Sequence, residues 1–264
     1  MIWLKPTSSL TRYQYVVLHS RTLFIRHFDP KVACISAKGL VKRYGDVMAL
    51  DGVSFEVACG SATALLGPNG AGKSTTLKIL AGLLKPDRGK AYLGGFEAGS
   101  DEARRISGYL PEDPEPYLAL TVRENLEYAA ALRGVSDWSW VDELVEVLEL
   151  RRFLRYRASS ISRGIRQRLA IAMALVHKPK VLLLDEPLNY LDIPAQEAVV
   201  SLLDSLDATM LVSTHILSVA GRLADEVLVI SGGRIVWSGT LEEVPGAREK
   251  GLELAVAELI RGGP

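Results

Sequence analysis

The stretch Gly67-Pro68-Asn69-Gly70-Ala71-Gly72-Lys73-Ser74-Thr75 constrains the fold more than any other part of the chain. It spells G-x-x-x-x-G-K-[ST]. The aliphatic run 62–66 before it reads as a strand, and the pattern after it predicts an amphipathic helix over 75–84. The glycines let successive backbone N–H groups turn inward as an anion nest, and the helix that starts there adds the positive end of its dipole. That cradle fits the β- and γ-phosphates of a nucleotide. Lys73 is placed to set its ammonium on the β/γ oxygens, and the Ser74 hydroxyl is a candidate ligand for magnesium, which prefers hard oxygen donors and keeps waters. A glycine-rich turn without a ligand would need neither the lysine nor the hydroxyl.

A chain of 264 residues with 48% hydrophobic content can bury a sizeable core, and one domain with an inserted subdomain is expected. The 31 basic and 31 acidic residues balance, so no overall field draws the chain to nucleic acid or anionic lipid. Cys34 and Cys59 are the two cysteines. Their spacing suits no metal site, and they are expected as buried thiols in a reducing compartment rather than as a disulfide. The longest apolar run, 169–176, has the length of a buried helix segment, so no membrane-spanning helix is expected.

Residues 1–31 differ in character from the rest of the chain. Lys5, Arg12, Arg21, Arg26 and Lys31 face a single acid, Asp29, and the apolar residues keep no sustained period. Arg21 and Arg26 interrupt the apolar stretch and no small-residue cleavage site follows, so a secretory signal is not expected here. Two expectations stand: a basic arm touching lipid headgroups, or a poorly ordered extension, including a wrongly assigned start with Val32 as the alternative. From residue 35 strands are expected over 35–42 and 53–57 around the turn at 44–46, giving a small antiparallel sheet. Tyr44 ends the first of them, where a ring can stack on adenine or belong to the core, and position decides neither. A strand over 106–110 runs into Pro111-Glu112-Asp113-Pro114-Glu115-Pro116, a loop that cannot be helical.

Beyond that loop the pattern turns helical. Thr121 and Glu124 form a capping box for a helix reaching about residue 133, and Asp137 is placed to cap the next. Trp138 and Trp140 can fill that region's core or face a partner. Ser162 caps a third, largely buried helix over 163–177. Continuous aliphatic strands over 180–184 and 210–213 alternate with helices, which argues a parallel sheet with right-handed crossovers. The tail from residue 240 reads as helical.

The first of these aliphatic strands ends in Asp185-Glu186, and ligands of such sheets gather at the carboxyl ends of the strands. Asp185 is placed to hold hydrated magnesium, and Glu186 to polarise a water attacking the γ-phosphate in line. His215, at the end of the next strand, can contact the γ-phosphate and orient that water. Ser162-Arg163-Gly164 at a helix start is a second phosphate-binding geometry. One nucleotide needs one cradle per subunit, so the second suggests two subunits closing face to face.

Over about residues 35–239 the chain resembles the ATPase subunit of ATP-binding cassette transporters, with the motifs in that family's order. The resemblance implies an α/β fold: a P-loop core with a mostly parallel sheet, a small antiparallel β subdomain and an inserted α-helical subdomain at about 112–178. The cassette would cover 32–239, after an extension over 1–31 and before a helical tail over 240–264. The resemblance makes Tyr44 the adenine-stacking aromatic, 67–75 the Walker A loop, Asp185 and Glu186 the Walker B aspartate and catalytic glutamate, and His215 the switch histidine. Asp192 becomes the aspartate of the loop that crosses the dimer interface.

Three places depart from the family pattern. Glu112 stands where a glutamine is usual; it can still ligate magnesium but adds negative charge. The signature reads Ile161-Ser162-Arg163-Gly164-Ile165, and the crossing loop Leu188-Asn189-Tyr190-Leu191-Asp192 is bulkier than usual. Glu112 and Arg163 resemble the branch that pairs with separately encoded export-type permeases. The resemblance therefore implies an ATP- and magnesium-dependent ATPase that powers transport by ATP-driven dimerisation, with a membrane permease and a second cassette as partners, at the cytoplasmic face of the membrane. A soluble cassette ATPase acting on ribosomes or DNA would carry two cassettes or a long coiled coil, and neither is present, so no nucleic-acid partner is expected. A degenerate, merely structural cassette is opposed by the intact Lys73, Asp185, Glu186 and His215.

Overall fold

The computed structural model describes residues 13–19, 22–28 and 33–262. Within the N-terminal extension, where the sequence shows no period, β1 (Tyr13–His19) and β2 (Thr22–Phe28) pair antiparallel. Lys5, Arg12, Arg21 and Lys31 of the expected basic arm, and the alternative start Val32, lie outside the described residues.

β3 (Ala33–Tyr44) and β4 (Val47–Ala58) form a long antiparallel pair turning at Gly45 and Asp46. Val53, Phe55 and Val57 are buried while Ser54, Glu56 and Ala58 are exposed, the two-residue period of a sheet with one covered face. β6 (Arg88–Leu93) and β7 (Phe96–Glu97) extend it to four strands in the order β4-β3-β6-β7. The ladder overturns the expectation of free thiols: Cys34 and Cys59 are joined by a disulfide with their Cα atoms 4.8 Å apart. A separation of 25 residues is remote along the chain. The antiparallel register, with Ala33 opposite Ala58 and Ile35 opposite Val57, returns the two cysteines to the same end of the pair. The inference from free thiols to a reducing compartment loses its support.

The second sheet has six strands in the order β12-β11-β5-β10-β9-β8: β12 (Arg234–Gly239), β11 (Glu226–Ser231), β5 (Ala62–Leu66), β10 (Thr209–Thr214), β9 (Val181–Asp185) and β8 (Ser107–Leu110). All neighbours run parallel except β12, which returns antiparallel to β11. Both faces are covered, as a parallel sheet requires. In β9, Val181 and Leu183 pack with α1 (Lys73–Leu80) and the antiparallel sheet, while Leu182 and Leu184 pack with the helices of the opposite face. α2 (Asp101–Ile106), capped by Ser100 Oγ accepting from Ala103 N at 3.2 Å, precedes β8.

Between β8 and β9 lie α3 (Val122–Leu132), α4 (Ser139–Val147) and α5 (Arg163–Leu175). The capping box at Thr121 and Glu124 is formed in full. Asp137 Oδ1 accepts from Ser139 N at 2.9 Å, so it caps α4 from one residue before the N-cap position. Trp138 and Trp140 pack against the core, and Trp140 donates to the carbonyl of Leu175 at 2.8 Å. α6 (Ile193–Asp204) and α7 (Leu217–Leu223) flank β10 in the chain. The tail carries α8 (Ala247–Lys250) and α9 (Leu252–Gly262). α9 buries Ala255 and Val256 with Val227 and Val229 of β11, and Ser231 Oγ donates to Ile260 O at 2.8 Å.

Candidate functional site

The strand order decides which chain segments meet. β10 lies between β5 and β9, with Thr214 opposite Leu66 and Ser213 opposite Asp185. The segments leaving the carboxyl ends of four adjacent strands are therefore the loop 67–72, His215, Asp185-Glu186 and Glu112, in that order across the sheet.

The loop wraps tightly. Gly72 has φ 110°, and a Cβ there would come within 2.7 Å of the carbonyl oxygen of Ala49, so this turn of backbone against β4 requires glycine. Lys73 is buried, and its Nζ donates to Gly67 O at 2.7 Å and Pro68 O at 3.2 Å. Burial pushes its pKa down, opposed by the charges of Glu186, Asp185 and Glu112 in that order. Its ammonium lies 4.0 Å from Glu186 Oε1. One cation thus spans the cradle and the carboxylates. Pro68, Asn69 and Gly70 form the exposed rim, while Ala71 is buried and Ser74 and Thr75 are partly exposed at the start of α1.

Asp185 and Glu186 are both buried, at 1% and 5% exposure. Ser213 Oγ donates to Asp185 Oδ1, while Asp185 Oδ2 is buried without a protein partner. A buried carboxylate oxygen left unpaired beside a lysine is the signature expected of a site for a hydrated cation. Among the described residues no group of three or more His, Cys, Asp or Glu is gathered to hold a metal alone. Magnesium takes one or two carboxylates and completes its shell with phosphate oxygens and waters. Glu112 is exposed and near enough to act electrostatically on Lys73. Glu112 and Asp185 also act on Tyr109, whose hydroxyl is buried and unpartnered; burial first, then those charges, raise its pKa.

Glu186 has φ 48°, a left-handed conformation uncommon for a non-glycine residue and concentrated at functional sites. Its N–H donates to Ser213 O at 3.1 Å, and His215 Nδ1 lies 2.7 Å from Glu186 Oε1. A carboxylate held by an imidazole and facing an ammonium can activate a water. Tyr44 is half exposed, with Lys42 Nζ 5.9 Å from its ring centroid, so it is not a core aromatic. It pairs with Val47 at the tip of the hairpin whose Ala49 and Leu50 pack against Gly72.

The second cradle stands apart. Ser162 Oγ accepts from Ile165 N at 3.3 Å as the N-cap of α5. Arg163 and Gly164 contact Asp113 and Tyr190, neither of them in the loop 67–75. Asp192 caps α6, accepting from Ala195 N at 3.1 Å, and receives Arg168 Nη2 at 3.4 Å. Sequence reasoning missed Ser213, Tyr190, Asp113 and Gln167, whose Nε2 donates to Pro187 O at 3.0 Å. Their signal lies in strand register and loop packing. The one local hint was the loop 188–192, which is bulkier than is usual in the resembling family.

Residues 50–189 match the family described as ABC transporter. An uncharacterized ABC transporter ATP-binding protein of Bacillus subtilis (strain 168) is 40% identical over 234 residues, covering 86% of this chain and 78% of that protein. Among solved structures, an ATP-binding subunit of an ABC transporter superposes with a TM-score of 0.79 at 33% identity, covering 86% of this chain and 99% of that one. A dimeric ATP-binding cassette in a post-hydrolysis state, bound to ADP and Pi, superposes with a TM-score of 0.71 at 28% identity, covering 78% and 98%.

Proposed function

This chain belongs to the ABC transporter family as an ATP-binding, ATP-hydrolysing cassette, and on that premise we propose that two copies close on two ATP molecules and drive a membrane permease. The observation that carries the reading is the pairing of a complete cradle at 67–75 with a second helix start at 162–164 whose neighbours lie elsewhere. The second can serve a phosphate only if that phosphate sits on another subunit.

In this reading Lys73 and the loop amides hold the β- and γ-phosphates, and Tyr44 stacks on the adenine. Ser74, Asp185 and Glu112 would hold magnesium, which when bound neutralises phosphate charge. Glu186 accepts the proton of the attacking water, while His215, at 2.7 Å, fixes the carboxylate and reaches toward the γ-phosphate. Ser162, Arg163 and Gly164 contact the γ-phosphate of the opposite subunit, and Asp192 lies in the segment that crosses between the two.

The permease would dock in a groove of about 1040 Å³ beside loop 111–116, lined among others by Leu83, Tyr117, Tyr128 and Leu132. These four side chains are exposed apolar or aromatic surface, suited to an amphipathic cytoplasmic helix. Arg104, Arg105 and Arg133 line the same groove together with Asp101 and Glu115, so its rim carries both signs of charge. Among the described residues no helix is long and apolar enough to cross a membrane. The cytoplasmic face and the export-type permease belong to this proposal, the latter on the strength of Glu112 and Arg163.

The test is the sandwich itself. Glu186→Gln should bind MgATP, fail to activate water and accumulate as a dimer by light scattering. Adding Ser162→Asp should return it to monomer, because aspartate still caps α5 but sets a carboxylate against the phosphate. Gly164 is the poorer position for that test, since any Cβ there would come within 2.7 Å of the Tyr190 carbonyl of its own subunit. A double variant that dimerises as readily as Glu186→Gln alone would refute the facing of 162–164 on nucleotide.

A further inference from the structure

Arg163 is a cation in the first turn of α5, where the helix dipole favours an anion, so its position needs a local account. The structure supplies two partners. Its Nη2 donates to Asp113 Oδ1 at 3.0 Å, and its guanidinium carbon lies 3.6 Å from the centroid of the Tyr190 ring. Stacking uses the face of the guanidinium and leaves its edge for anions. Asp113 belongs to loop 111–116, whose Pro111, Pro114, Glu115 and Pro116 line the groove proposed for the permease. Tyr190 belongs to the segment that leaves Glu186. It is held there with φ 66°, a conformation L side chains rarely adopt, while Gln167 anchors Pro187 just before it. Two segments distant in sequence from α5 therefore converge on one of its side chains.

We propose that Arg163 is an exchange element: Tyr190 fixes its plane, Asp113 occupies its edge, and the terminal phosphate of ATP on a second copy displaces Asp113 from that edge. Phosphate carries more charge than a carboxylate and takes guanidinium in a bidentate grip. Displacing Asp113 frees loop 111–116 and so reports the opposite nucleotide to the docking groove. Asp113 and Tyr190 are positioning residues, and the inference rests on the sandwich reading above.

The experiment uses the full chain carrying Glu186→Gln, titrated with MgATP and followed by light scattering, with amide exchange measured over 112–118. Asp113→Asn should lower the ATP concentration at half-dimerisation by about two- to fivefold, the range an exposed ion pair allows. It should also raise exchange over 112–118 before ATP is added. Tyr190→Ala should raise that midpoint, and Tyr190→Phe, which keeps the ring, should restore it. In an Arg163→Gln background Asp113→Asn should have no effect on the midpoint. An unchanged midpoint in Asp113→Asn, or an equal shift with and without Arg163, overturns the exchange while leaving the sandwich intact. A Glu186→Gln parent that never dimerises overturns the sandwich and the exchange together.

Discussion

Lys73 carries an ammonium that is buried and yet held by partners on two sides. Its ammonium is buried and its pKa pushed down from 10.5, chiefly by burial. The unfolded chain therefore holds this proton more tightly than the folded one. Between the lowered pKa and 10.5 the unfolded state binds more protons, so stability rises with pH through that window, and below it the full penalty remains. Lys73→Met should hydrolyse no ATP, and because it leaves the buried Glu186 carboxylate without its cation and the Gly67 and Pro68 carbonyls without their donor, it should also unfold at a lower temperature than the parent at neutral pH. Thermal unfolding and a phosphate-release assay read the two effects separately. A variant that hydrolyses ATP at the parental rate would contradict the role given to the lysine.

At the scale of elements, α3 and the pairing of β8 with α5 offer two measurements. Thr121→Ala removes the cap of α3 and one half of a formed box, and should lower stability by about 1 kcal/mol in chemical denaturation. His177, just past α5, has an imidazole nitrogen 3.0 Å from the Ser107 carbonyl, and burial, then Arg133, lowers its pKa to about 4 against that bond. The folded state keeps it neutral while the unfolded state protonates near 6.5, so stability should fall as pH drops from about 6.5 to about 4. His177→Gln should flatten that limb of the stability profile.

These two elements also mark what the sequence could tell. The capping box, the glycine-lysine loop and the Asp185-Glu186 strand end are local patterns, legible because their chemistry needs neighbours in the chain. α2 went unread because its six residues are too few to establish a period. The Cys34–Cys59 disulfide and the Ser213 bond to Asp185 join residues 25 and 28 positions apart, and the stacking of Arg163 on Tyr190 likewise depends on how distant loops pack. No local window holds both partners.

For the whole molecule, hydrolysis and transport should be separable at the groove beside loop 111–116. Leu132 is 68% exposed there, so Leu132→Asp should leave the fold and basal hydrolysis near parental values while cutting permease-coupled transport several-fold. Vesicles containing the permease would measure transport, and the soluble chain hydrolysis. If cross-links from the permease fell on the tail after residue 240 instead, the groove would lose its role.

The strand order carries one more consequence. β10 separates the strand that bears the cradle from the strand that bears Asp185 and Glu186. Two steps of about 4.8 Å set those strands roughly 10 Å apart, whatever the side chains do. The side chains close that gap: Lys73 Nζ, bonded to the carbonyl of Gly67 at the end of β5, lies 4.0 Å from Glu186 Oε1 at the end of β9, so the distance between loop and carboxylate is set by two side chains reaching across β10.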